Sequence, residues 1–517
     1  MARSKLTVRR NGVHFTPDAL ADVLACGAIH EPQVSVLDPA CGDGALLAAA
    51  DGRCHSLAGA SAPDLVGCDK LAQRALRKLR VPWRPVKSDF FAYKPSREFD
   101  VILMNPPFVS ARMLGKAKRT LYQRRHASFC GLSGNADLWA YFLVKALSHL
   151  REGGTVGAIL PWSFLQADYA GSLRARLREM FASVRVLVIT SQCFDHTNQR
   201  VLLLWLQGFG TAAEKLSIGF SDQVGQDPSF HSVSQATWDS GALLAADEGN
   251  TLELLGAYFD AYGFSPLSDH ADVHIGVVTG ANDFFVTTEP EARSHGFRST
   301  NLLPVLTSSG DIHSLRADGS CGPKRLLRIC RDAESTCSEY IARGVAAEYH
   351  LRSQCRRRDP WYEVDTGDVP DAFFTYRVAA VPILALNDSG LQCTNAVHRV
   401  YFRDLTEAQR RWVQVSLLAA PARLSLEVLA KTYGNGALKV EPNALKRSPV
   451  YVPDAPFPAD AYARLNRLVE NGEREAASAL ATKVVNLGAG VARDLALRTT
   501  AALDTVRSRR CRGPGDG

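Results

Sequence analysis

Asn105-Pro106-Pro107-Phe108 is the stretch whose residue types most nearly dictate a chemistry. It follows the apolar run Phe99–Met104, which reads as a buried strand. Two consecutive prolines cannot continue a central strand, so the chain must leave the sheet there, and the rings stiffen it as it turns. Such a turn fixes where the Asn105 side chain and the Pro106 carbonyl point. An exocyclic amine on an aromatic base is a poor nucleophile, because its lone pair is delocalised into the ring. Two oxygen acceptors that take its two N–H bonds draw the nitrogen towards tetrahedral geometry and localise that pair. Asn105 Oδ1 and the Pro106 carbonyl suit this task, and Phe108 can stack on the base. Acceptors of this kind stabilise a transition state more than a bound ground state.

The residues before this turn suggest what the amine would attack. Val34 to Asp38 runs into Pro39-Ala40-Cys41-Gly42-Asp43-Gly44, a strand followed by a glycine turn and a helical pattern. Glycines there allow positive φ and close approach to a ligand. The turn lacks the Lys-Ser/Thr ending of a phosphate-binding loop and the third glycine of a dinucleotide fingerprint. A second strand ends at Asp69, where a carboxylate can accept ribose hydroxyls. A third segment ends at Ser88-Asp89-Phe90, offering an acceptor for an adenine amino group and a ring for the adenine face. Any one of these acids could simply cap a helix. Together, at successive strand ends, they outline an adenosine pocket.

Positioning such residues requires a sheet whose strand ends share one edge. Candidate strands fall at Val34–Leu37, Asp64–Cys68, Asp100–Met104, Gly154–Leu160, Val184–Thr190 and Val201–Gln207, with helical patterns such as Leu71–Leu79 and Leu138–Leu150 between them. The alternation predicts an α/β, doubly wound, mostly parallel sheet, and the nearly continuous apolar strands predict cover on both faces. The expected division is a first domain over 1–210, a connecting subdomain over 211–265, a mixed α+β domain over 266–505 and a disordered basic tail over 506–517. Helical patterns recur at Leu424–Thr432 and Ala459–Leu503.

These motifs, in this order, resemble the gamma-class N6-adenine DNA methyltransferases, the Taq-type modification methylases. In addition to the turns above, Phe15-Thr16-Pro17 resembles the family's segment over the methionine moiety of the cofactor. Ala158 to Leu165 resembles the strand motif that follows, and Cys193-Phe194 with Arg200 to Leu204 resembles the motif whose aromatic stacks on an extruded base. The resemblance covers residues 12–208. It implies a class I methyltransferase domain using S-adenosylmethionine, with Phe15, Thr16, Pro17, Asp38, Ala40, Gly42, Gly44, Asp69, Asp89 and Phe90 at the cofactor. It further implies Asn105, Pro106, Pro107 and Phe108 at the reacting amine, Phe108 and Phe194 on the two faces of the target base, and a C-terminal target-recognition domain. Asp137 is read evenly as a cofactor neighbour or a helix N-cap. A separate cognate restriction endonuclease is an expected partner, and a monomer the expected acting form. Two rivals are a non-catalytic DNA-binding subunit and a methyltransferase acting on another amine or amide. Intact Asn105, Pro106 and Phe108 with a complete cofactor pocket count against the first; Asn rather than Ser at the start of the turn, the Phe15-Thr16-Pro17 segment and the long C-terminal half count against the second.

Charge agrees with a polyanionic substrate such as double-stranded DNA. The chain of 517 residues carries a formal +7, and residues 1–210 hold 27 Lys and Arg against 16 Asp and Glu, so the excess is concentrated there. Arg112, Lys116, Lys118, Arg119, Arg124 and Arg125 fall in a stretch, Val101 to Asn135, without one acidic residue. They are read as a basic loop gripping phosphates around a flipped nucleotide. In the C-terminal half, Arg356-Arg357-Arg358 with Trp361 and Tyr362, and the loop Thr432-Tyr433-Gly434-Asn435-Gly436, are candidate DNA surfaces. No apolar run reaches membrane-spanning length, and no secretory leader is evident, so a cytoplasmic protein is expected. The 12 cysteines form no Cys-x-x-Cys pair, and Cys321, Cys330 and Cys337 fit no zinc spacing, so no metal is expected.

Overall fold

The computed structural model describes residues 15–58, 62–70, 83–130, 132, 135–190, 200–225, 229–240, 243, 251–319, 324–331, 334–432 and 436–511. The chain divides into two compact units, Met1–Glu248 with Arg509–Gly517, and Gly249–Ser508.

The first unit is built on nine strands: β1 (Ser35–Asp38), β2 (Asp64–Asp69), β3 (Trp83–Lys87), β4 (Phe99–Met104), β5 (Leu150–Pro161), β6 (Phe181–Ile189), β7 (Val201–Phe209), β8 (Lys215–Ser221) and β9 (Phe230–Ser232). Their order is β3-β2-β1-β4-β5-β7-β6-β8-β9. Strands β1 to β5 pair in parallel, with Val36 beside Val101 and Leu37 beside Ile102. Strand β7 runs antiparallel between β5 and β6. This is the doubly wound sheet of the class I methyltransferases, with β7 reversed, extended by β8 and the antiparallel β9. The order reverses between β1 and β4, and ligands of open α/β sheets bind at the carboxyl edge of such a switch point.

Alternate residues of the central strands enter two apolar layers. Val36, Leu65, Val101 and Leu103 pack with Leu20, Leu24 and Leu47 of the helices Asp18–Ala28 and Ala45–Ala58. Leu37, Val66, Ile102 and Met104 pack with Trp139, Tyr141 and Leu143 of the helix Leu138–Leu147. The predicted helix Leu71–Leu79 lies outside the described residues.

Several elements depart from expectation for identifiable reasons. Trp83–Lys87 is a strand despite Pro85, tolerated because β3 is the sheet edge. The sheet continues past residue 210 through β8, which pairs in parallel with β6. The basic stretch expected as a loop is helical from Lys116 to Cys130, a run of good helix formers without Gly or Pro.

In the second unit, a five-stranded sheet runs Ala271–Ile275, Val397–Phe402, Ala372–Thr375, Leu384–Asn387 and Arg316–Ala317 in that spatial order. A four-stranded sheet is formed by Val286–Thr288, Lys324–Leu327, Leu302–Leu306 and Gln392–Cys393. The helix expected near Leu424 spans Ala420–Leu429. The long C-terminal pattern is three helices, Ala459–Glu470, Arg474–Gly488 and Arg493–Cys511. Left-handed Gly472 and Gly490 punctuate them. The last helix includes residues 506–511, where a disordered tail was expected; residues 512–517 lie outside the described set. Among the described residues no helix is long and apolar enough to cross a membrane, and no group of three His, Cys, Asp or Glu side chains could hold a metal.

Candidate active site

Parallel pairing puts the carboxyl ends of β1, β2, β3 and β4 on one edge. The turn after β1 is tied down at each step. Asp38 Oδ1 accepts from the Ala40 N–H at 3.0 Å, Cys41 N–H donates to the Cys68 carbonyl at 3.2 Å, and Gly42 N–H donates to Asp69 Oδ2 at 3.2 Å. Gly42 and Gly44 hold φ of +49° and +86°, which favours glycine at both. The next strand lies close beneath. A Cβ on Gly67 would come within 2.9 Å of Cys41 Sγ and Leu47 Cδ1 and 2.7 Å of the Trp83 ring.

Three carboxylates crowd this turn. Asp38 is 1% exposed. Burial, then the nearby charges of Asp69 and Asp43, push it up to about 8 against the opposing hydrogen bond from Ala40. A buried carboxyl among acidic neighbours suits a cationic ligand. At the third strand end, Asp89 Oδ1 accepts from Phe91 N–H at 3.0 Å, and its Oδ2 pairs with Lys70 at 3.0 Å. Phe90, expected on an adenine face, is 2% exposed and stacked on Phe142 at 5.3 Å, inside the core behind Asp89.

The Asn105 turn leaves β4 on the neighbouring strand. Asn105 Nδ2 donates to Thr16 Oγ1 at 3.0 Å, joining two predicted site segments 89 residues apart. Pro106 is buried and Pro107 half-buried. Phe108 is half-buried and packs against both apolar layers. The exit from the turn is braced. Val109 N–H donates to the Pro107 carbonyl at 3.0 Å, Leu138 N–H to the Val109 carbonyl at 2.9 Å, and Ala111 N–H to Asp137 Oδ1 at 2.9 Å. Asp137 therefore stands at the N-cap position of the helix Leu138–Leu147 without capping it by its side chain, which holds the exit of the Asn105 turn instead. Its carboxyl is raised by burial, against the Ala111 hydrogen bond.

Phe15 is 60% exposed, while Thr16 and Pro17 are half-buried at the start of the helix Asp18–Ala28. Phe194 lies outside the described residues. At the end of β5, Trp162 Nε1 donates to the Val201 carbonyl at 3.1 Å, and the Arg200 guanidinium covers its ring at 4.7 Å. Arg112, Lys116, Lys118 and Arg124 are exposed and Arg119 half-buried. Among the described residues none of these five pairs with a carboxylate. The side chain of Arg125 lies outside the description. In the second unit the expected cation–aromatic surface separates. Arg356 and Arg357 are exposed, whereas Tyr362 is buried and Trp361 packs on Phe284 at 5.2 Å. Most of the Thr432–Gly436 loop lies outside the described residues, as does Cys321.

Sequence reasoning missed Asp43, which adds a third carboxylate beside the turn; its place between Gly42 and Gly44 was the available signal. Asp137, read evenly as a cofactor neighbour or a helix N-cap, stands at that N-cap position and braces the Asn105 turn through the Ala111 N–H, a long-range partner that could not be read from spacing.

The chain is similar to known proteins over both units. The family described as Eco57I restriction-modification methylase matches residues 69–194, and that described as Type II methyltransferase M.Eco57I, C-terminal domain, matches residues 238–485. The Type II methyltransferase M.AccI of Acinetobacter calcoaceticus is 21% identical over 374 residues, covering 68% of each chain. M.BanIII of Aneurinibacillus aneurinilyticus is 25% identical over 209 residues, covering 35% of each chain. The fold is also that of the Type IIL restriction-modification enzyme MmeI, solved in complex with DNA. That likeness has a TM-score of 0.58 at 12% identity and covers 95% of this chain and 75% of that one.

Proposed function

We propose that this chain, whose residues 69–194 and 238–485 match the Eco57I restriction-modification methylase and the M.Eco57I C-terminal families, is a DNA methyltransferase that methylates N6 of an adenine flipped out of a short DNA recognition sequence, using S-adenosylmethionine. The observation that carries this reading is the rigid Asn105-Pro106-Pro107-Phe108 turn leaving β4 at the same sheet edge as the acidic glycine turn of β1.

When bound, the donor would supply an electrophilic methyl on a sulfonium, leaving as a neutral thioether while the methylated amine releases one proton to solvent. The chain's residues do the rest. Asp43 and Asp69, beside the buried Asp38 carboxyl, give the turn negative charge suited to a cationic cofactor, and Asp69 and Asp89 offer acceptors for the ribose and the adenine amino group. Ala40, Gly42 and Gly44 let the backbone approach, with Phe15 and Pro17 closing the methionine end. Asn105 Oδ1 and the Pro106 carbonyl accept the two N–H bonds of the target amine. Pro107 stiffens the turn, and Phe108 and Phe194 sandwich the base. Stacking is worth roughly 1–3 kcal/mol per base, comparable to the few kcal/mol that flipping costs. Lys116, Lys118, Arg119, Arg124 and Arg125, with Arg112 just before their helix, hold phosphates, and the second unit reads the sequence. A Ser in the first position of the turn would favour cytosine N4; the Asn favours adenine.

The test is methylation-aware sequencing of DNA from cells expressing the protein. The expected product is N6-methyladenine at one short motif, absent with a folded Asn105→Ala variant. Undiminished methylation by that variant overturns the mechanism, and N4-methylcytosine as the product overturns the choice of base.

A further inference from the structure

We propose that Thr16 is a positioning residue for the transfer step, its hydroxyl holding the Asn105 amide so that oxygen rather than nitrogen meets the target amine. The inference rests on the role proposed above for Asn105, and concerns a residue that resemblance alone assigns to the cofactor.

A carboxamide is planar, with a donor branch and an acceptor branch of nearly the same size. The target amine presents two N–H donors. It is served only if Oδ1 faces it; a half-turn about the last side-chain torsion would oppose donor to donor. The prolines fix the backbone of the turn but leave that torsion open, since rotation about an sp³–sp² bond is broad and two-fold. In the structure Asn105 Nδ2 donates to Thr16 Oγ1 at 3.0 Å. That bond places the amine branch on the Thr16 side and the oxygen on the opposite branch.

Thr16 is held firmly enough to act this way. It immediately precedes Pro17 and the helix Asp18–Ala28, whose Ala21 N–H donates back to the Pro17 carbonyl at 3.1 Å. Leu20, Leu24, Ala25 and Ala28 of that helix are buried against Val101 and Leu103 of β4, the strand that ends at Asn105. Trp205 Nε1 locks the helix further by donating to the Leu24 carbonyl at 3.0 Å. The hydroxyl and the amide are thus carried by two elements of one core layer, which sets their separation.

The test compares Thr16→Val, which keeps the shape and removes the acceptor, with Thr16→Ser, which keeps the acceptor. Single-turnover transfer of radiolabelled methyl to genomic DNA from a methylation-deficient host is measured beside cofactor affinity and thermal stability. Thr16→Val is expected to slow transfer roughly tenfold, the size of one misdirected hydrogen bond to a reacting group. Cofactor affinity and DNA KM should stay within about twofold, and Thr16→Ser should restore most of the rate. Loss of cofactor affinity in proportion to rate would make Thr16 a cofactor ligand and overturn the proposal. So would an unchanged rate in Thr16→Val, or a Ser variant as slow as Val. Asn105→Ala in the same assay separates the two claims. If it is inactive while Thr16→Val is normal, only the positioning role fails; if it is active, the underlying reading fails.

Discussion

Replacing Asp38 by asparagine should change how the stability of the first unit depends on pH. Asp38 is 1% exposed, and burial with its acidic neighbours pushes it up to about 8. In the unfolded chain it titrates near an ordinary value of about 3.9. A folded value above the unfolded one means that the folded state holds the proton more tightly. Below about pH 4 both states are protonated and there is no penalty. Between about pH 4 and 8 the unfolded state ionises and the folded state does not, so stability falls with rising pH; above about 8 the penalty is constant. The slope is about 1.4 kcal/mol per pH unit, giving a ceiling of about 4 kcal/mol between pH 5 and 8. Relaxation of the turn around the ionised group should reduce this to about 2 kcal/mol. The introduced carboxamide mimics the protonated acid and keeps an oxygen to accept from the Ala40 N–H, as Asp38 Oδ1 does. The Asp38→Asn variant should therefore gain about 2 kcal/mol of stability on the wild type between pH 5 and pH 8. Urea unfolding followed by tryptophan fluorescence is the assay, since five of the seven tryptophans precede residue 249. Other titrating groups are common to both proteins and cancel in the difference. A difference that stays flat from pH 5 to 9 would refute the claim that this carboxyl is held protonated.

Two further outcomes follow from the same geometry. Gly67→Ala places a methyl 2.7 Å from the Trp83 ring and 2.9 Å from Cys41 Sγ; it should cost about 1–3 kcal/mol of stability and weaken cofactor binding, both readable in one thermal-shift titration. Neutralising Lys116, Lys118 and Arg124 together should weaken DNA binding and lower the slope of log K against log[salt] by about 0.9 for each phosphate left without its cation, and an unchanged slope would remove this helix from the interface.

The strands and their one shared edge were legible because the chemistry there is local. An apolar run ending in Asn-Pro-Pro must turn out of a sheet, and a run ending in Asp followed by a glycine turn must do so too; both did, on adjacent parallel strands. The misreadings arose where local rules compete with tertiary ones. The stretch beginning at Lys116 reads as a loop on charge alone, yet its residues are good helix formers and Tyr122 is buried, stacked on Phe91 at 4.2 Å. Trp83–Lys87 was obscured by Pro85, which only an edge position accommodates. Phe90 was assigned to a ligand face because it follows Asp89, and spacing cannot tell an aromatic beside a pocket from one in the core behind it.

What no local pattern could supply is the set of bonds that turn a flexible side chain into a fixed one. Asn105 is recognisable from its two prolines, but its amide orientation depends on a hydroxyl 89 residues earlier, and the path of its exit loop on an acid 32 residues later. Both partners sit at the ends of helices whose buried faces already belong to the two apolar layers of the sheet. The packing that places the strands thereby also places Thr16 and Asp137. A substitution deep in either layer, far from any reacting atom, should therefore reach the transfer step through these two hydrogen bonds before it reaches the affinity for DNA.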